Sequence, residues 1–245
     1  MLASGAQGAV VEPIAGLRAE RIRENLRRVR EEIAAAADRS RAVRAGSPPL
    51  AASAEHPGGV DVLAATKYVS LADLPVLADA GIRLVGENRA QELEAKVAAH
   101  GELFDWDFIG QLQSRRVRLI VPHVRLIHSV ASTSALRELT RTRELARPGL
   151  RILIEVNVAG EPGKAGVAPE ELDAFIAASP LPVAGLMTMP PFSSEPERSR
   201  PWFSVLRGLA RDRGLEHLSM GTSQDYLVAV EEGATIVRIG TKLYS

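Results

Sequence analysis

The chain is expected to fold as a single α/β unit, a (β/α)8 TIM barrel with an extra helix at its N-terminus. Three features predict this. Eight short apolar or β-branched runs recur from residue 60 onward, and segments of helical character lie between them. Several of those segments begin after Ser or Pro and end at Gly, the punctuation that helices favour. The length of 245 residues suits one large α/β domain. A doubly wound open sheet shares the alternation, but a strand count of eight favours the barrel.

Residues 1–16 read as a tail. Residues 17–37, LRAERIRENLRRVREEIAAAA, place Leu17, Ile22, Leu26, Val29 and Ile33 on one stripe between charges, which predicts an amphipathic helix. RAVRAGSPPLAASAEHPGG has no period and is rich in Pro, Gly, Ala and Ser, so an exposed loop is expected at about 40–59. It does not read as a domain linker, because a single helix precedes it. The barrel domain is therefore taken as 17–245, loop included. Its strands are read at VDVLAAT, RLVGEN, WDFIG, RLIHSV, RILIEVNV, VAGLMTM, HLSMG and TIVRIG. The intervening helices are read at LADLPVLADAG, AQELEAKVAAHG, STSALRELTRTRELA, PEELDAFIAAS, RPWFSVLRGLARDRG and QDYLVAVEEG.

Composition narrows the function. Apolar residues are 46% and charged residues 24%, with zero formal net charge, so no global field favours nucleic acid or an anionic membrane. The absence of cysteine excludes disulfides and thiolate chemistry. No apolar run approaches the roughly 20 residues that span a bilayer. MLASGAQGAVVEP lacks the basic and apolar regions of a secretion signal, so a cytoplasmic location is expected. The five histidines show neither paired ligand spacing nor HExxH, which argues against a metal hydrolase.

In a barrel the functional end is where strands finish. Those ends carry Lys67, Glu87 and Asn88, Gly110, Ser129, Asn157, Thr188, Ser219 to Ser223, and Arg238 to Thr241. Gly221, Thr222 and Ser223 after strand seven, with Gly240 and Thr241 after strand eight, suit a phosphate cradle. Simple helix capping is the alternative. Arg238 alternates with Ile236 and Gly240; facing inward, it needs an acceptor, an electron-rich ring nitrogen, or a partner such as Glu87 or Glu155. Lys67 shares a face with Leu63 and Ala65. Partial desolvation at the mouth is expected to favour its free amine, which attacks a carbonyl to form a Schiff base; a structural ion pair is the alternative. Of the other lysines, Lys96 sits among helix charges, Lys164 in GEPGKAG and Lys242 after the last turn, and none has an equal reason to be buried. A lysine, a phosphate cradle and an arginine facing a ring nitrogen are the three handles of pyridoxal 5′-phosphate (PLP).

TKYVS, VGENRAQE, WDFIGQLQS, IHSV, VNVAGEPGKAG, GLMTMP, LSMGTSQD and VRIGTKLY, in this order, resemble the pyridoxal phosphate homeostasis protein (YggS/PROSC-like) family. That family is similar to the barrel domain of alanine racemase, the type III PLP fold. The resemblance spans residues 17–245. It implies Lys67 as the Schiff-base lysine and Arg238 as the partner of the pyridine nitrogen. It places Ser219, Gly221, Thr222, Ser223, Gly240 and Thr241 on phosphate-binding segments, Asn88 near the ring and Met187 lining the pocket. Asp107 stands where the family usually has histidine, Arg115 and Arg116 where it has Asn-Lys, and Thr222 where methionine is common. Arg115, Arg116 and Arg118 read as a solvated helix face.

The resemblance further implies a PLP-binding protein that buffers the cofactor and delivers it to apo PLP-dependent enzymes, with no established catalytic turnover; a monomer without nucleic-acid or membrane partner is expected. The alternative is an amino-acid racemase. Racemisation needs a second acid/base besides the lysine, which two-domain racemases draw from another domain. Here the chain stops after strand eight, and Tyr68, Tyr226 and Tyr244 are its only tyrosines. A Schiff-base aldolase acting on a sugar phosphate is a third reading that needs no cofactor.

Overall fold

The computed structural model describes Ile14, residues 16–43 and residues 59–245. Eight strands close into a parallel barrel: β1 (Asp61–Ala65), β2 (Leu84–Glu87), β3 (Asp105–Phe108), β4 (Leu126–Val130), β5 (Arg151–Glu155), β6 (Val183–Met187), β7 (His217–Thr222) and β8 (Ile236–Ile239). Each pairs with the next in sequence. The ring closes where β1 meets β8, with Leu63 opposite Arg238 and Ala64 opposite Ile239. All eight coincide with the runs read from sequence, because parallel strands covered on both faces need unbroken apolar stretches.

The core has two layers. Leu63, Leu126, Leu153, Ala184, Met187 and Ile236 form a cluster separate from the main core and fill the barrel interior. The larger cluster joins the outer strand faces to the helices. Those helices are α1 (Ala19–Val43), α2 (Leu74–Asp79), α3 (Ala90–His100), α4 (Val117–Ile120), α5 (Thr133–Arg141), α6 (Leu172–Ala177), α7 (Arg200–Arg211), α8 (Tyr226–Glu231) and α9 (Thr241–Tyr244). Several predicted helices begin with a 3-10 turn, as at Leu71–Asp73 and Pro169–Glu171. The helix face read at Arg115, Arg116 and Arg118 falls on the 3-10 turn Ser114–Arg116 and the short α4, with Arg115 and Arg118 exposed and Arg116 half-buried.

α1 extends past residue 37 to Val43, since no helix breaker occurs before Gly46. The rest of the expected loop at 40–59, and most of the tail, lie outside the described residues. Ile22, Leu26, Val29 and Ile33 are all buried, and α1 packs on α8 and α9. Helices as short as α8 cover little of the barrel wall, so α1 closes that side. Polar ties lock it in place. Asn25 Nδ2 donates to Leu243 O at 3.1 Å and Ser245 O at 2.9 Å. Tyr226 donates to Glu32, and Lys242 Nζ lies 2.8 Å from the same carboxylate. No helix among the described residues is long and apolar enough to cross a membrane.

Candidate functional site

The strand C-termini form a polar mouth. Arg238 is buried within it, at 7% exposure. Nη1 donates to Ser219 O at 2.8 Å and Ser219 Oγ at 2.5 Å. Nη2 donates to Thr188 O at 3.0 Å and lies 2.9 Å from Met189 Sδ. Burial pulls the guanidinium down to about 10, against the opposing fields of Asp225 and Glu155, and it remains a cation at neutral pH. Neither Glu87 nor Glu155 pairs with it directly: its acceptors come from β7 and the end of β6. Burial pushes the Glu155 carboxyl up, against Arg238 and Lys164.

Lys67 follows β1 at the rim. It is exposed, so the expected desolvation is not found. The strand ends at Ala65, and the chain turns outward before the lysine. Its Nζ lies 4.6 Å from the Tyr68 ring centroid, and among the described residues no carboxylate pairs with it. The buried lysine is instead Lys96 of α3, at 2% exposure, which sequence reasoning passed over as one helix charge among several. Its Nζ donates to Glu87 Oε2 at 2.6 Å and Thr66 O at 2.8 Å. Glu87 also accepts from the backbone N–H of Asn88 at 2.7 Å and from Thr66 Oγ1 at 3.2 Å. One buried ion pair thus braces the residues before Lys67 and Asn88. The adjacent GEN and TK motifs were its available signal.

Asn88 Oδ1 is buried with no hydrogen-bond partner, a costly state that a bound donor would relieve. The backbone here is crowded: a Cβ on Gly110 would lie 2.0 Å from Asn88 O, so only glycine fits after β3. Ser129 donates to the Gly110 carbonyl. Met187 belongs to the interior cluster and is buried.

The loops after β7 and β8 are joined, because Ser223 Oγ accepts from Gly240 N–H at 3.1 Å. Gly240 sits against β1; a Cβ there would lie 3.7 Å from that of Ala65. Thr241 begins α9. Thr222 N–H and Oγ1 both donate to Asp225 Oδ1, at 2.7 and 3.1 Å, so this threonine shapes the loop. Gly221 has φ +91°, and a Cβ there would meet Ala229 Cβ at 2.6 Å, which lets α8 approach the strand. Ser219 is fully buried, its hydroxyl engaged with Arg238 and His128. The ten expected residues thus lie around one mouth: Lys67, Ser223, Gly240 and Thr241 at the rim, Asn88 beside them, Gly221 and Thr222 at the end of β7, and Arg238, Ser219 and Met187 below.

Sequence reasoning missed the residues beneath Arg238. His128 Nδ1 lies 2.8 Å from Ser219 Oγ, and its Nε2 lies 3.0 Å from Asp107 Oδ2. Arg125 Nη2 also donates to Asp107 Oδ2 at 3.2 Å, and its Nε lies 3.0 Å from Oδ1 without hydrogen-bond alignment. A cavity of about 230 Å³ at the opposite end of the barrel is lined by Arg30, Asp61, Arg83, Asp105 and Arg125 among others. We place the site at the mouth because the orphan acceptor, the unpaired amine and the buried guanidinium converge there. Among the described residues no cluster of His, Asp or Glu could hold a metal ion.

Fold and mouth together define a parallel barrel of the alanine racemase N-terminal type. The family model described as "Alanine racemase, N-terminal domain" matches residues 53–245. A pyridoxal phosphate homeostasis protein of Aquifex aeolicus is 43% identical over 195 residues, 75% of this chain and 85% of the relative. The protein of that name from Pseudomonas aeruginosa is 39% identical, covering 79% and 87%. PipY of Synechococcus elongatus PCC7942, solved with PLP bound, superposes with a TM-score of 0.67 at 31% identity, covering 86% of this chain and all of that one. The chain belongs to the pyridoxal phosphate homeostasis protein family.

Proposed function

We propose that this chain binds PLP at the barrel mouth, with Lys67 as the Schiff-base lysine, and serves as an intracellular carrier that buffers the cofactor and hands it to apo-enzymes. Residues 17–245 act as one PLP-binding unit, with residues 1–16 as a tail. The observation that carries the reading is the pairing, in one mouth, of an exposed amine facing no carboxylate with a buried guanidinium held by β6 and β7. The PLP-bound PipY structure supports the choice of ligand.

The residues divide the work by their chemistry. The cofactor brings an aldehyde for the amine and a ring nitrogen for a donor. Lys67 reaches the aldehyde from the rim. Arg238 donates to the ring nitrogen and keeps it unprotonated. Asn88, with its orphan acceptor, takes a hydrogen bond at the ring edge, and Met187 gives an apolar floor. Ser223, Gly240 and Thr241 receive the phosphate, while Gly221 and Thr222 shape their loop and Ser219 holds Arg238 from below.

Exposure of Lys67 suits a carrier, because water and an acceptor enzyme's lysine can reach the linkage. Stereoinversion would need a proton donor opposite Lys67. Tyr244 reaches β1 but donates to Ala65 O at 3.2 Å, and burial holds its hydroxyl above the usual range, which makes it a poor proton donor. Borohydride reduction followed by peptide mapping should place pyridoxyl on Lys67; a tag on Lys96, Lys164 or Lys242 sinks the assignment. Sustained exchange of an amino acid's α-hydrogen with solvent deuterium would support the racemase reading instead.

A further inference from the structure

We propose that Asp107 and His128 are positioning residues for Arg238: His128 is held as the neutral Nε2–H tautomer, so Ser219 donates its single hydrogen to His128 and keeps its lone pairs for the guanidinium. The part played toward a cofactor rests on the function proposed above; the hydrogen-bond directions stand without it.

The four side chains come from β3, β4, β7 and β8, and none exceeds 7% exposure. Both ends of the chain have fixed polarity. Asp107, an anion beside Arg125, accepts only, so the nitrogen 3.0 Å from it, His128 Nε2, carries a hydrogen. Arg238 donates only, so at 2.5 Å it takes a lone pair of Ser219 Oγ. Between them stand the Ser219 hydrogen and His128 Nδ1, 2.8 Å apart. One arrangement matches every donor to an acceptor: Arg238 to Ser219, Ser219 to Nδ1, and Nε2–H to Asp107.

The other protonation states fail locally. An Nδ1–H tautomer sets a bare Nε2 lone pair against the carboxylate and sends two donors into Ser219. A doubly protonated ring adds a buried charge among those that face it, namely Asp107, Arg125 and Arg238. Burial, Arg238 and Arg125 oppose that cation while Asp107 favours it, and the balance holds His128 below its usual range.

For the guanidinium, Nη1 is engaged by Ser219 on both hydrogens, and Nη2 reaches Thr188 O and the weak sulfur acceptor of Met189. Nε–H, and the hydrogen resting on Met189, are then the donors available to a ring nitrogen. The relay fixes which edge of Arg238 faces the mouth.

The first test uses the full chain purified without cofactor and labelled with 15N-histidine, His128 being assigned by the signal lost in His128→Gln. Bare-nitrogen character at Nδ1 and a protonated Nε2 at pH 7 are expected. An Nδ1–H tautomer or an imidazolium at that pH overturns the proposal. In the loaded protein, Asp107→Leu should weaken PLP binding about tenfold, the scale of one hydrogen bond. The same change made on Ser219→Ala should add nothing further; an equal loss in both backgrounds overturns the relay. If Asp107→Leu does not fold, Ser219→Ala alone should shift the Nδ1 resonance toward a free lone pair, and an unmoved resonance overturns the assignment. A wild-type chain that takes up no PLP defeats the function proposed above, while the labelling experiment still decides the tautomer.

Discussion

Replacing Lys96 by methionine keeps most of the side-chain volume and strands Glu87. In the wild type the two charges lie 2.6 Å apart at 2% and 0% side-chain exposure. At an effective dielectric of about 20 that separation is worth roughly 6 kcal/mol of attraction, much of which offsets the removal of both ions from water. The variant keeps the desolvation cost of Glu87 and loses the attraction. The carboxylate retains the Asn88 N–H and Thr66 hydroxyl donors, while Thr66 O loses its ammonium donor. Removing one partner of a buried pair costs about 3–5 kcal/mol, against a total stability of roughly 5–15 kcal/mol. In a domain of this size the melting temperature should fall by about 6–20 °C. The double variant Lys96→Met, Glu87→Met removes both charges and should recover most of the loss. Urea unfolding followed by circular dichroism measures all three proteins. A Lys96→Met variant within about 1 kcal/mol of wild type would show that this pair behaves like a surface ion pair and that the brace beneath Lys67 and Asn88 is unimportant.

Further outcomes follow from other parts of the barrel. Gly110→Ala brings a Cβ to 2.0 Å from the backbone oxygen of Asn88, which cannot swing aside; a loss of about 3 kcal/mol or more is expected in urea melts, with weaker PLP retention on the same sample. Asn25→Ala cuts two hydrogen bonds from α1 to the chain end and should cost about 1–2 kcal/mol, visible as faster amide exchange in α9. Burial lowers both His128 and His217. The unfolded chain therefore binds more protons than the fold once pH drops below about 6.5. Their stabilisation is complete above that pH and is lost on acidification, with His128 contributing a slope of up to about 1.4 kcal/mol per pH unit. Urea midpoints from pH 8 to 5 should show the decline, and His128→Gln should flatten it; an unchanged slope in that variant would mean His128 is not the source.

The barrel was legible because its signals are local. Each strand is an apolar run flanked by helix punctuation, and the parallel sheet needs nothing subtler. Gly240, Ser223 and Arg238 were legible for a related reason, since strand alternation and turn chemistry act over two or three residues. Lys67 was located correctly at a strand end, yet its environment was misjudged: two residues beyond Ala65 the chain has left the strand, and alternation no longer says where a side chain points. Lys96 shows the opposite error. On α3 it stands four residues from Glu92 and two from Glu94, which reads as a solvated helix charge, and only the closing of α3 over β2 puts it against Glu87.

The order of strands and helices, the residue types at each strand end and the polarity of the mouth were all determined by the linear sequence, through periodicities of two and 3.6 residues. Tertiary structure decided which of those residues touch. Asp107, His128, Ser219 and Arg238 come from four strands separated by up to 131 residues in number, and they meet because a closed ring of eight strands turns one face of each toward a shared axis. Hydrogen-bond partners across that axis depend on register and closure, which no stretch of neighbouring residues encodes.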